Sequence, residues 1–195
     1  MDGAFDAISR WPLHAVDRSA KDRVDTIEGI EATIRALPRP PALVVVDHLL
    51  ILSHACPGRE EHHRVTHAVR ALVEIGKRTG CTLLVLAHIG RATAGKGELY
   101  RRPRAEDLAG GRTIEEAADG ILILHREDKH PTSKESQNDP TNHGRVEVFA
   151  PKLRGVRDCG YGVLLFRGEV QRFEPFDPHG GGDWSADFGE REESE

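Results

Sequence analysis

The feature that most constrains this chain is the run Leu43, Val44, Val45, Val46, followed at once by Asp47. With no polar residue alternating in it, such a run predicts a strand buried on both faces, an environment found in parallel sheets covered by helices. Upstream, DTIEGIEATIRAL predicts a helix from Asp25: Asp25 and Glu28 stand at capping-box spacing, and Ile27, Ile30, Ile34 and Leu37 recur on one face. Pro38, Pro40 and Pro41 end it. Downstream, Val65, Ala68, Leu72 and Ile75 form the apolar stripe of a helix over 61–79 that Gly80 can close. Leu83 to Leu86, leading to His88, repeat the buried-strand pattern; so do Ile121 to Leu124, after a short helix ending near Asp119. Strand, helix, strand, helix, strand is the α/β pattern. After a polar loop over 126–144, Val146 and Val148, then Tyr161 to Phe166, predict an antiparallel pair extending the sheet.

The 195 residues suffice for one ordinary α/β domain with its own core. The longest apolar stretch, Ala42 to Leu52, is interrupted by Asp47 and His48 and falls well short of the roughly 20 residues a membrane span needs. The first residues lack the basic-then-apolar pattern of a secretory signal, so a cytoplasmic setting without membrane contact is expected. Cys56, Cys81 and Cys159 are odd in number and lack C-x-x-C spacing, which argues against a disulfide framework or a zinc ribbon. Of the net charge of −5, residues 173–195 contribute −7, leaving +2 on the rest. Residues 1–175 are therefore expected to form the domain, and 176–195 an acidic, glycine-rich, disordered tail.

Several groups could carry chemistry. Asp47, at the carboxyl end of a predicted parallel strand, stands where nucleotide-binding folds hold Mg²⁺ through water, although acids at strand ends also cap turns. The sequence GRATAGKG over 90–97 nearly matches a phosphate loop, but Gly97 replaces the required hydroxyl and Pro103 stands where a helix should begin. A basic loop explains the same letters: Arg91, Lys96, Arg101, Arg102, Arg104 and Arg112 outnumber Glu98, Glu106 and Asp107 there. Such a loop can follow a phosphate backbone or be a solvated surface. Lys152 and Arg154, two apart after a strand, point the same way and suit a developing phosphoryl charge, or equally surface salt bridges. His54, His62, His63 and His67 invite a metal, with His63 and His67 on one helix face; lacking a third placed acid or Cys, a solvent-facing histidine-rich turn is the preferred account.

Together the pieces ALVVVDHLLIL, LLVLAHIGR, RRPRAEDLAGGRTIEEAADGILILHRED, RVEVFAPKLRG and YGVLLFRGEVQRFEP, in that order from about Pro12 to Pro175, resemble the RecA-like motor domain of the hexameric, DnaB-type replicative DNA helicases. The resemblance implies a P-loop NTPase core: a mostly parallel sheet with helices on both faces and antiparallel strands at its carboxyl end. It implies ATP and Mg²⁺ as cofactors, and single-stranded DNA and other helicase subunits of a hexamer as partners. Asp47 would hold the Mg²⁺-bound water, and His88 would occupy the sensor position where the family usually has glutamine. Lys152 and Arg154 would reach the γ-phosphate bound by a neighbouring subunit. Arg91, Arg101, Arg102, Arg104 and Arg112 would face DNA, with Ala109, Gly110, Gly111 and Arg112 departing from the family's usual arginine, acid, small residue and glycine. The family's phosphate loop and catalytic glutamate precede the helix that begins here near Asp25. The expectation is thus a motor domain lacking its first part, inactive alone in ATP-dependent DNA unwinding. The alternatives are a non-enzymatic scaffold that binds single-stranded DNA or the replisome, and a metal-dependent hydrolase using Asp47 with His48 or His88.

Overall fold

The computed structural model describes residues 10–16, 25–90, 102–129, 143–156 and 160–176. The chain divides into two compact units, Met1–His88 and Ile89–Glu195.

In the first unit, α1 spans Ile27–Ala36. Its cap is Thr26 rather than the expected Asp25: Thr26 has the extended backbone a cap needs, and its Oγ1 accepts the Gly29 N–H at 3.0 Å, satisfying one otherwise orphaned donor. The strands β1, Leu43–Val46, and β2, Thr82–Val85, pair in parallel, with Leu43 opposite Thr82 and Val46 opposite Val85. A parallel pair needs a long crossover, supplied here by α2, Leu49–His54, and α3, Glu61–Thr79. The bounds of α3 match the sequence pattern because its buried residues, Val65, Ala68, Val69, Leu72 and Ile75, form one stripe. Gly80 closes it in the left-handed conformation at φ +70°, donating to the Gly76 carbonyl at 2.9 Å. Ile34, Ile75 and Cys81 form a cluster on which Ile27, Ile30 and Val44 pack.

The expectation that both faces of these strands are buried is not met. Val44, Val46, Leu83 and Val85 are half-buried, whereas Leu43, Val45, Leu84 and Leu86 are exposed. The helical cover lies on the Val44 and Leu83 side: Val44 packs on the Ile34, Ile75 and Cys81 cluster, and α3 approaches Leu83 at Gly76.

In the second unit, a 3₁₀ turn, Ala105–Asp107, leads to α4, Gly111–Ala117, and then to β3, Gly120–His125. A Cβ on Gly111 would lie 2.5 Å from the Glu106 carbonyl oxygen, so only glycine lets the helix start this close to the turn. β3 joins β4, Arg145–Leu153, β5, Tyr161–Arg167, and β6, Arg172–Pro175, in a wholly antiparallel sheet of that order. The α/β class holds, but β3 pairs with β4 rather than extending a parallel sheet. Its burial alternates: Ile121 and Ile123 pack with Ala105 and are covered by Leu108, Ile114, Ala118 and Phe149, while Leu122 and Leu124 face outward. The expected pairing of the strand at Val146 with that at Tyr161 to Phe166 is present as β4 and β5. The polar loop over 126–144 opens with a 3₁₀ turn, Glu127–Lys129, and its residues 130–142 lie outside the described ones, as do Cys159 and the tail after Phe176. Among the described residues, no helix is long and apolar enough to cross a membrane.

Candidate functional site

The residues singled out from sequence fall on both units. On the first, the parallel pairing puts the carboxyl ends of β1 and β2 at one edge. The ladder continues past them: Leu86 N–H donates to the Val46 carbonyl at 3.0 Å, and Leu49 N–H to the Leu86 carbonyl at 2.9 Å. This stitching brings His48 beside His88, with ring centroids 4.3 Å apart and a tilt of 55°. Nδ1 of His48 is buried and has no hydrogen-bond partner among the described residues. Asp47 is exposed, directly after β1, with no basic group in ion-pair range among the described residues.

A carboxylate free of cationic partners at the tip of a parallel strand suits Mg²⁺, which takes oxygen ligands and keeps most of its waters. The imidazoles of His48 and His88 do not suit that ion. Nor do Asp47, His48 and His88 converge as ligands: among the described residues, the one set of three candidate ligand atoms lying within 4.8 Å of one another is Glu60, His62 and His63. The hydrolase alternative therefore lacks a gathered metal site. Of the glycine-rich stretch 90–97, only Gly90 is described, and its N–H donates to the Asp107 carbonyl at 2.6 Å.

On the second unit, Lys152 lies opposite Ile121 near the end of β4, and Arg154 follows the strand. Both turn to the carboxyl end of α4. Lys152 Nζ donates to the Glu115 carbonyl. Arg154 donates from Nη2 to the Glu116 carbonyl at 3.1 Å and from Nη1 to Asp119 Oδ1 at 2.8 Å. The last carbonyls of a helix lack intrahelical partners and carry its negative dipole end, so two cations there satisfy both needs. The sequence-based inference that the two side chains point the same way is met, and their present partners are α4 and the residue just beyond it. Asp119, Glu115 and Glu116 were not expected at the site. Two of these contacts run through backbone carbonyls, which leave no trace in side-chain identity.

The arginines assigned to DNA have different surroundings. Arg102 bonds Glu147 Oε1 at 2.8 Å, and its guanidinium lies 5.2 Å from the centre of the Phe149 ring and 5.4 Å from that of Tyr161. The Glu147 hydrogen bond raises the Arg102 pKa further. Glu147, another residue the sequence did not flag, also accepts from the Tyr161 hydroxyl at 3.0 Å. Arg112 is 92% exposed and pairs with Glu116 one turn along at 2.9 Å. Arg104 is exposed, 3.6 Å from Glu106. Arg91 and Arg101 lie outside the described residues.

With this geometry in hand, similarity to known proteins identifies the family. The family described as DnaB-like helicase C terminal domain matches residues 2–175, and the chain belongs to it. It is 27% identical over 149 residues to the DNA helicase/primase of Enterobacteria phage T3, an alignment covering 75% of this chain and 24% of that protein. It is 24% identical over 135 residues to the replicative DNA helicase DnaB of Pasteurella multocida (strain Pm70), covering 68% of this chain and 27% of that protein. The chain thus spans about a quarter of the length of these curated relatives. Among solved structures, the ATPase domain of G40P aligns over 90% of this chain and 59% of its own, at 22% identity and a TM-score of 0.71. A DnaB-like replicative helicase studied for its interactions with primase aligns over 90% of this chain and 41% of its own, at 21% identity and the same TM-score. These neighbours show that the chain has the RecA-like α/β fold.

Proposed function

We propose that the chain acts within an ATP-driven replicative DNA helicase, lending Lys152 and Arg154 to a nucleotide held by a neighbouring subunit of a hexamer in the cytoplasm. The observation that carries this reading is the placement of both cations side by side at the carboxyl end of α4 in a chain matched to this family over 2–175. Arg154 is 58% exposed and Asp119 85%. Exposed pairs of this kind contribute about 0–1 kcal/mol, so a phosphate carrying two charges can displace the carboxylate. Arg154 would then turn its planar fork to two phosphoryl oxygens, while Lys152 would supply a point charge beside it. Asp47 would hold Mg²⁺ through water, and His88 would offer a ring N–H to whatever occupies the strand tips. Bound Mg²⁺ supplies charge neutralisation at the phosphates. Single-stranded DNA would follow the basic loop containing Arg91, Arg101, Arg102, Arg104 and Arg112, its affinity falling with salt as counterions are released. The isolated chain is expected to show no appreciable ATP hydrolysis.

The test mixes a complete helicase subunit from the same cell with this chain or its Arg154→Ala variant and measures ATP hydrolysis. Removing an arginine that acts on a neighbour's nucleotide lowers the rate by about 10³ to 10⁵ at the affected sites. Arg154→Lys should not restore it, because lysine keeps the charge but loses the fork. Co-assembly with an unchanged rate would favour the second reading, a non-enzymatic scaffold for single-stranded DNA or the replisome. That reading draws on the internal engagement of Arg102, Arg112, Lys152 and Arg154.

A further inference from the structure

We propose that Glu60, His62 and His63, at the start of α3, form a binding site for one divalent ion of the zinc class. In the sequence, His63 shares a helix face with His67 but has no third placed ligand; the fold supplies Glu60. One ligand atom from each of Glu60, His62 and His63 lies within 4.8 Å of the others. His62 Nδ1 is already 3.2 Å from Glu60 Oε2, and the two imidazole rings are 4.0 Å apart between centroids. Four-coordinate Zn²⁺, with ligands at about 2.0–2.2 Å, requires its donor atoms to sit roughly 3.4 Å from each other. No separation therefore needs to close by more than about 1.4 Å, within reach of rotamer changes in exposed side chains.

Glu60 occupies the cap position of α3, yet its side chain makes no capping bond, so the carboxylate is available to turn toward His62. The turn before it is held in place: Arg64 Nη1 donates to the carbonyls of Gly58 and Arg59 at 3.3 and 3.1 Å. Gly58, at φ +140°, packs against His63 so closely that a Cβ there would lie 3.0 Å from the His63 Cβ. The carboxylates of Glu60 and Glu61 offset the positive end of the α3 dipole, which otherwise disfavours a cation.

Two imidazoles and one carboxylate select Zn²⁺, Co²⁺, Ni²⁺ or Cu²⁺ over Mg²⁺ and Ca²⁺, which prefer all-oxygen shells. Three protein ligands leave the fourth position of a tetrahedral ion to water. The site lies entirely within the first unit and is independent of the nucleotide reading.

The test uses the full chain without a histidine tag, titrated with Co²⁺ and followed by its visible ligand-field bands, then with Zn²⁺ in competition. One equivalent of Co²⁺ should bind, Zn²⁺ should displace it, and millimolar Mg²⁺ should not. Loss of groups that merely orient a ligand typically costs 10–100-fold in metal affinity, so His62→Ala and His63→Ala, each removing a ligand, should cost at least about that. Glu60→Gln should weaken binding about tenfold, while His48→Ala and His88→Ala should leave it unchanged. All three ligands are exposed, and circular dichroism verifies that each variant is folded. Absence of binding at 100-fold molar excess of Co²⁺ or Zn²⁺ would overturn the proposal. So would affinity that survives the His62→Ala, His63→Ala double variant, or loss on His67→Ala with no loss on His62→Ala.

Discussion

The first unit is organised around a parallel pair and the second around an antiparallel sheet, and the two differ in the polar groups they leave at the ends of their strands. Among the described residues of the first, the ladder has two strands, and its packing comes from the crossover helix α3 beneath Val44 and Leu83. The tips of those strands leave Asp47 exposed and Nδ1 of His48 without a partner among the described residues. In the second, four strands supply their own ladder, and Arg102, Arg112, Arg126, Lys152 and Arg154 all hold partners within the unit. A crossover joins its strands at one edge and leaves their ends open to a ligand, whereas hairpin-linked strands bring charged residues back beside one another. The groups ready to receive an ion therefore lie on the parallel unit, and those that must first be released lie on the antiparallel one.

The sharpest way to break this contrast is through the cores. Ile75 is fully buried in the cluster it forms with Ile34 of α1 and Cys81, against which Val44 of β1 packs, and Ile75→Ala should cost about 2–5 kcal/mol, the transfer term plus the cavity left behind. Val146, nearly as buried in β4, loses two carbons in Val146→Ala, worth about 1.6 kcal/mol in transfer alone. Hydrogen exchange by residue should show lost protection in β1 and β2 for the first variant and in β3 to β5 for the second. Equal loss in β1 and β2 from both variants would contradict the assignment of separate cores.

Acid sharpens the contrast further. In the first unit, hydrogen bonds from Arg78 of α3 and from Arg35 hold Glu31 of α1 down to about 2, against an ordinary 4.5. In the second, burial pushes Asp128 upward, but the two hydrogen bonds from Arg126 and one from the Gly144 N–H outweigh it, and its pKa lies below the ordinary 3.8. Both are depressed acids, so what they contribute is fully present above their unfolded values and is lost as pH falls through the folded ones. The α1 to α3 link should loosen between about pH 4.5 and 2, and the Asp128 turn only below 3.8. Titration of the two carboxyl groups by NMR reads this directly. Glu31→Gln should remove the acid response of α1 while leaving that of the second unit intact, and an unchanged α1 response would refute the assignment.

How much of this was legible beforehand follows the same divide. The stripe in 61–79 and Gly80 specify α3 to the residue, because an amphipathic helix writes both its period and its stop into side chains. The run Leu43 to Val46 marks a strand correctly but says nothing about cover on its second face, which depends on groups distant in sequence. Helix α2 escaped notice because LLIL following a strand continues the same apolar run, and its cap residue, His48, makes no side-chain capping bond. β6 escaped because four residues with one large apolar side chain, Phe173, carry no period. At the candidate site, the shared direction of Lys152 and Arg154 was legible from their spacing. Their partners were not, since two are backbone carbonyls. The family resemblance, resting on several motifs in order, is matched by the family alignment over 2–175.

The smallest expected effect probes whether the partnered state of the second unit matters. Asp119→Asn removes the charge that Arg154 meets at 2.8 Å while leaving the Glu116 carbonyl contact in place. Because both partners are mostly exposed, the stability change should be under about 1 kcal/mol, and less at high salt. In a mixed assembly, however, Arg154 would no longer have to exchange a carboxylate for a phosphate. ATP hydrolysis should then be unchanged or higher, never as low as with Arg154→Ala. If Asp119→Asn lowers hydrolysis as far as Arg154→Ala does, the carboxylate is not a resting partner but the group that holds the arginine in its working position. The contrast would then invert, with the antiparallel unit supplying a prepositioned finger rather than one awaiting release.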